Sequence, residues 1–190
     1  MNPVVDASIR GIWTAVGILW GVTALSAKRA AKVESGRSRF AHLAVMSVAL
    51  ALLFWSKLQM GVLAWRVLPA SDGWALAGLA LTVAGAALAL WARFQLGGNW
   101  SGSVTIKQGH TLVSSGPYAA VRHPIYSGLL LAALGTAIAR GTLSGFVGFT
   151  IAFVGWLVKS RHEESVLSGE FGSEYEQYRR RVRALIPFVL

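Results

Sequence analysis

The sequence predicts an all-α integral membrane protein of about five transmembrane helices, and three observations predict it. Of its 190 residues, 54% are hydrophobic and only 14% charged, with eight Trp, a composition suited to lipid and not to water. Five apolar stretches follow one another along the chain. A bilayer core needs roughly 20 apolar residues per helix, or about 17 where neighbours or snorkelling flanks help. Lys and Arg, finally, gather at alternate ends of those stretches, as the positive-inside rule requires.

The first span runs from about Gly11 to Ala27. Residues 1–10 lack the basic start and small-residue cleavage site of a secretory signal, so this span is expected to be retained. Lys28, Arg29, Lys32, Arg37 and Arg39 follow it against one acid, Glu34, which marks a cytoplasmic loop. The second span is read from Phe40 to about Trp65, closed by Arg66 and Pro69, with Asp72-Gly73 turning the chain outside. Lys57 falls within it and is expected to snorkel toward the outer face. The third runs from Trp74 to Trp91 and is rich in Ala and Gly. Gly78 and Gly85, seven residues apart, predict a close helix–helix contact there.

From Phe94 to about Pro124 the chain turns polar and Gly-rich. Ile125–Ala139 and Leu143–Val158 then form a hairpin around Arg140-Gly141-Thr142. At about 15 residues each they need tilt, burial against other helices, or snorkelling by Arg140. Fourteen of the eighteen Lys and Arg fall on one side in this arrangement. The N-terminus is therefore expected outside, and the C-terminus and the polar segments in the cytoplasm. The chain reads as one membrane domain over residues 1–190, with three N-terminal spans in 1–93 and a catalytic half in 94–190.

Composition also excludes functions. Without cysteine there is no disulfide framework, thiolate metal site or cysteine nucleophile. No His-x-x-x-His spacing occurs, so no metal is expected. The net charge of +10 lies between and after spans and does not form a stripe with interleaved aromatics, which argues against nucleic acid. No Gly-x-Gly-x-x-Gly follows a strand, so a soluble dinucleotide fold is excluded.

Two polar patches carry chemistry. The first runs from His110 through Leu112, Val113, Gly116-Pro117-Tyr118 and Arg122-His123-Pro124 to Tyr126 and Gly128. Gly116-Pro117 makes a turn whose backbone groups are open to a planar ligand. Pro124 is expected to hold His123 extended and to start a helix. Arg122, His123 and Tyr126 would then gather at a helix N-terminus, which favours an anionic group. The alternative is Arg122 on lipid phosphate and Tyr126 in an interfacial aromatic belt. The second patch is Arg161-His162-Glu163-Glu164, where the last span leaves the bilayer. Adjacent helical residues point about 100° apart, so one glutamate is expected to face the site and the other to pair with a base such as Arg161.

In this order, with Gly98-Asn99-Trp100-Ser101, Phe171-Gly172, Tyr175, Tyr178 and Ile186-Pro187, these patches resemble the isoprenylcysteine carboxyl methyltransferase family, within the membrane phospholipid-methyltransferase-like superfamily. The likeness runs from about Gly97 to Phe188. It implies a helical membrane enzyme binding S-adenosyl-L-methionine in a pocket closed by the C-terminal segment, with an amphipathic lipid or prenylated acceptor entering laterally. On that analogy His110, Leu112, Val113, Gly116, Pro117 and Tyr118 hold the adenosine part. Arg122, His123, Pro124 and Tyr126 hold the methionine end, and Glu163, Glu164 and Arg161 serve as the catalytic set. A carboxylate acceptor needs no general base at neutral pH, whereas an ammonium acceptor does. The residues leave phospholipid N-methylation open. A sterol-reductase-like enzyme using NADPH and a scaffold binding anionic lipid through Arg179–Arg183 are further alternatives.

Overall fold

The computed structural model describes residues 2–24, 30–33, 36–100, 105–107 and 112–187. Six α-helices carry the fold: α1 Pro3–Ala24, α2 Gly36–Phe54, α3 Asp72–Leu96, α4 Pro124–Arg140, α5 Leu143–Phe171 and α6 Ser173–Arg181. Two short strands, β1 Ala30–Val33 and β2 Thr105–Lys107, add an antiparallel ribbon with Val33 opposite Thr105. By length and apolarity α2, α3 and α5 each suffice to cross a membrane, while α4 has 17 residues and α1 carries Asp6 and Arg10 in its first half. Large side chains such as Ile18, Phe40, Leu43, Leu76, Val83 and Trp91 are exposed on the outer faces of the bundle. Such faces require lipid, and the chain is an integral membrane protein.

The seam between α3 and α4 is the centre of the bundle, and α1 packs along α3 while α2 packs along α5. Lipid gives apolar helices no hydrophobic reason to associate, so close approach and satisfied polar groups must hold them. The seven-residue step of Gly78 and Gly85 on α3 meets the same step of Gly128 and Gly135 on α4. A Cβ added at Gly128 would lie 2.5 Å from the Ala89 amide nitrogen, and one at Gly135 would lie 2.5 Å from the Gly78 carbonyl. The seam also buries a polar chain. Trp13 Nε1 donates to Thr136 Oγ1 at 3.0 Å, and the Thr82 and Thr136 hydroxyls donate to the carbonyls four residues earlier, of Gly78 at 2.8 Å and Ala132 at 2.9 Å. No hydroxyl in that chain lacks a partner, as the bilayer interior demands.

Three features differ from the sequence reading. The second helix ends at Phe54, not Trp65, and two 3₁₀ turns follow, at Ser56–Leu58 and Gly61–Ala64. Polar Ser56, Lys57 and Gln59 and the left-handed Gly61 (φ 55°) break the helix. The stretch then docks on the α4–α5 turn, where Leu143 N donates to the Trp65 carbonyl at 2.8 Å and Val67 N to the Gly141 carbonyl at 2.8 Å. Lys57 is thus exposed in a turn, outside any span. Arg140 does not snorkel. It is buried, 2.9 Å from Asp6 on α1 and 5.5 Å over the Phe54 ring, because a carboxylate lies in reach inside the fold. The last long helix continues past Val158 to Phe171.

Candidate active site

The polar segment before α4 is fixed from both sides. Gly116 is left-handed (φ 59°), a conformation that costs glycine nothing, and it opens the 3₁₀ turn Gly116–Ala119. Tyr118 in that turn is buried. Its hydroxyl donates to the Ala92 carbonyl at the end of α3 (3.4 Å), and its own carbonyl accepts from the Tyr178 hydroxyl of α6 (2.6 Å). Burial, reinforced by the Glu163 charge and Tyr178, pushes the Tyr118 phenol well above its ordinary range. Burial likewise carries Tyr178 up to about 12, against the pull of Arg122. Both are therefore phenols that donate.

The next residues run beside the C-terminal tail as a parallel bridge between Val121 and Arg183. Arg122 N donates to the Arg183 carbonyl at 2.7 Å and His123 N to the Ala184 carbonyl at 3.0 Å. One turn later Ser127 Oγ donates to the Leu185 carbonyl at 2.5 Å. The helix begins at Pro124 as predicted. His123 is not fully extended, with ψ at 59°, because its N–H is drawn to the tail while its carbonyl accepts from Ser127 of the first turn.

On this frame four charged side chains converge. Arg122 Nη2 and Nε lie 2.6 and 3.0 Å from Glu164 Oε1, and Nη1 donates to the carbonyls of Arg179 (3.3 Å) and Val182. Its donors hold the tail and the last long helix in place. His123 stands between the two glutamates, with Nε2 at 3.1 Å from Glu164 and Nδ1 at 3.4 Å from Glu163. The Tyr126 hydroxyl donates to Glu163 Oε2 at 3.0 Å, and the Tyr126 ring stacks on His123 (5.5 Å) and on Trp156 (6.3 Å).

Burial alone would drive the His123 proton off. The hydrogen bonds and charges of Glu163 and Glu164 outweigh it and raise the His123 pKa above its ordinary value. A carboxylate at each ring nitrogen favours the imidazolium, the form that can donate from both. Two positive and two negative side chains thus neutralise one another at the start of α4. The site stays partly open on one side: the Glu164 side chain is 11% exposed and that of Glu163 32%.

The structure thus brings together Arg122, His123, Tyr126, Glu163 and Glu164. Leu112 and Val113 are half-buried, and Val113 packs against Tyr118, Ile125 and Ala92 beside Pro117 and Pro124, both buried. His110 lies outside the described residues. Arg161 is exposed and pairs with neither glutamate. Both carboxylates turn to His123, which straddles the angle between them, and the bases on Glu164 are Arg122 at 2.6 Å and Arg179 of α6 at 3.8 Å. Trp156 and Ser127 join the site without a signal in the sequence, Trp156 as one aromatic in an apolar run.

Residues 78–168, from α3 to α5, match the isoprenylcysteine carboxyl methyltransferase (ICMT) family. The match covers just under half of the chain. Within the wider chain, 103 residues are 38% identical to a protein-S-isoprenylcysteine O-methyltransferase of Schizosaccharomyces pombe, covering 52% of this chain and 43% of the relative. The human protein-S-isoprenylcysteine O-methyltransferase is 31% identical over 144 residues, 73% of this chain and 50% of its own. The chain spans about half the length of these curated relatives. Its fold is also that of the eukaryotic intramembrane Ras methyltransferase ICMT, with a TM-score of 0.54 and 24% identity over 83% of this chain and 55% of that one. The ICMT-matched segment contains all four charged residues of the cluster.

Proposed function

We propose that this chain is an S-adenosyl-L-methionine-dependent membrane methyltransferase whose acceptor is the carboxylate of an isoprenylcysteine-like amphipathic acid. The observation that carries this reading is the state of the two glutamates within the ICMT segment. Glu163 Oε2 is occupied by Tyr126 and His123, and Glu164 Oε1 by Arg122 and His123. The pair is organised to hold positive charge in place, not to collect a proton. A carboxylate acceptor, ionised above a pKa of about 4, asks for no proton acceptor, whereas an ammonium acceptor does.

The residues suit the methyl donor by their chemistry. The half-exposed carboxylate of Glu163 and the faces of Tyr126 and Trp156 suit its cationic part, and the Ser115–Ala119 turn offers backbone groups to its planar part. When bound, the donor supplies an electrophilic methyl group on a sulfonium. The chain's task is then to align it with the acceptor and to exclude water. The Lys and Arg distribution supports placing this end of the bundle at the cytoplasmic face and the N-terminus outside. The first three helices are assigned the shaping of the lipid opening.

The test is transfer of radiolabelled methyl from the donor by the purified protein to a farnesylated cysteine analogue and to phosphatidylethanolamine. Transfer to the first alone is expected. Donor binding with transfer to neither, or to phosphatidylethanolamine alone, would overturn this reading.

A further inference from the structure

Arg93 differs from the other buried arginines. It lies in the last turn of α3 and is 2% exposed. Its Nη2 donates to the Thr23 carbonyl at 2.7 Å and its Nη1 to the Gly97 carbonyl at 3.1 Å, and its guanidinium lies 4.2 Å over the Trp100 ring. Its Nε is buried and has no acceptor among the described residues, as is also true of Arg140 Nε, so what sets Arg93 apart is the missing counter-charge. Arg122 and Arg140 have carboxylates at 2.6 and 2.9 Å, yet no carboxylate among the described residues pairs with Arg93.

The acids are few enough to follow one by one. Of the eight in the sequence, Asp6 binds Arg10 and Arg140, Asp72 meets Asn2, Glu163 and Glu164 meet His123, and Glu176 meets Ser168 and Arg179. Glu170 and Glu174 are exposed, and Glu34 lies outside the described residues. A buried guanidinium with two carbonyls and one ring face still lacks a counter-charge, and burial without one is costly.

The position of Arg93 points to what supplies that charge. The neighbouring Ala92 is a core residue with Tyr118 and Ile125, and Trp20, Trp100, Val113 and Tyr126 pack on the same cluster. Tyr126 in turn bonds to Glu163. Arg93, over Trp100, and Glu163, bonded to Tyr126, therefore both border one apolar, aromatic cluster. That arrangement complements a pair of reactants carrying a cation, a carboxylate and a hydrocarbon body.

We infer that Arg93 is a binding residue for a carboxylate of the reacting pair, held at the same Tyr118–Ile125 cluster that Glu163 borders. The inference rests on the proposed function, in which each reactant carries one such group: the acceptor its α-carboxylate, the donor the carboxylate of its methionine end. For the acceptor the consequence is direct. Methyl transfer forms an O–C bond and breaks the S–C bond; the sulfonium becomes a neutral thioether and the carboxylate a neutral ester. The ester no longer matches Arg93, and the product is released.

Arg93→Gln and Arg93→Lys decide it in the full-length protein in nanodiscs. Donor Kd is measured by calorimetry, acceptor KM with farnesylcysteine, and each acid is competed against an uncharged analogue. Arg93→Gln is expected to weaken one reactant by at least about tenfold, as loss of a buried charged partner does, with a smaller loss in Arg93→Lys. If the carboxylate is the acceptor's, KM rises at constant donor Kd, and the preference for farnesylcysteine over its carboxamide is lost. If it is the donor's, Kd rises, and the preference over decarboxylated donor is lost. Both constants within about twofold of wild type in Arg93→Gln would overturn the inference. Should that variant not fold, unchanged constants in Arg93→Lys would do so. A wild type that binds donor but methylates no acid instead counts against the functional reading, and the donor arm still tests Arg93.

Discussion

The two ends of α4 carry the same kind of interaction put to different use. At its C-terminus Arg140 pairs with Asp6, which also holds Arg10, so one carboxylate serves two arginines. At its N-terminus Arg122 and His123 meet Glu163 and Glu164, and the tail carbonyls and two aromatic rings join them. The first is a clamp between α1 and α4. The second is also a clamp, and Glu163 and Asp6 are about equally exposed, at 32% and 30%; but both Asp6 oxygens are bonded to arginines, whereas Glu163 is held through Oε2 alone, by Tyr126 and His123. Burial of an ion pair marks neither end as functional, since the desolvation cost is similar at both; incomplete saturation does.

The largest effect is expected from Glu164→Ala, which strands Arg122 in a buried setting. Removing one partner of such a pair costs about 3–5 kcal/mol. Thermal unfolding in detergent should show a loss of that order, and trypsin should cut the tail at Arg179–Arg183 in the folded variant. Glu163→Gln sharpens the comparison. It keeps the size of the side chain and an acceptor for Tyr126, and Glu164 still joins α5 to Arg122 and His123, so the melting temperature should move less than in Glu164→Ala. Methyl transfer should fall by about 100-fold, the scale of a lost electrostatic contact in an active site. An equal loss in Asp6→Asn, at the other end of α4, would end the distinction between the two regions. Asp6→Asn leaves the buried Arg140 beside a neutral acceptor and is expected to destabilise by about 3 kcal/mol, the low end of the range for a broken buried pair, with KM for both substrates unchanged.

How far these regions could be read in advance follows from what each contact is made of. The start of α4 was legible because Pro124 fits the first helical position, and the α3–α4 seam because Gly78 and Gly85 repeat at seven residues. The convergence of the two motifs was legible through their resemblance to a family. The clamp at Arg140 was not, because its partner lies 134 residues away and an arginine ending a short apolar run reads equally well as snorkelling. The end of α2 was hidden for a different reason. Residues 55–65 are nearly as apolar as a span, and hydropathy cannot separate a helix from turns docked on a hairpin. The acceptors of Arg122 in the tail are backbone carbonyls, which every residue has, so no side chain announces them.

The smallest expected effect is a pH dependence confined to the N-terminal end of α4. The two carboxylates raise the His123 pKa in the folded state despite burial, whereas an unfolded histidine titrates near about 6.5. The stability this contributes is complete below the unfolded value. It is lost as pH rises through the folded value, because the native state then gives up a proton that it binds more tightly than the unfolded chain does. Melting temperature measured against pH in detergent should therefore show a decline on the alkaline side in wild type. His123→Gln, which keeps a donor but cannot titrate, should be less stable at low pH and lack that decline. Asp6→Asn should retain it. A decline that survives in His123→Gln would mean that the imidazolium does not join the two glutamates, and the N-terminal cluster would then be no more than the clamp found at the other end of the helix.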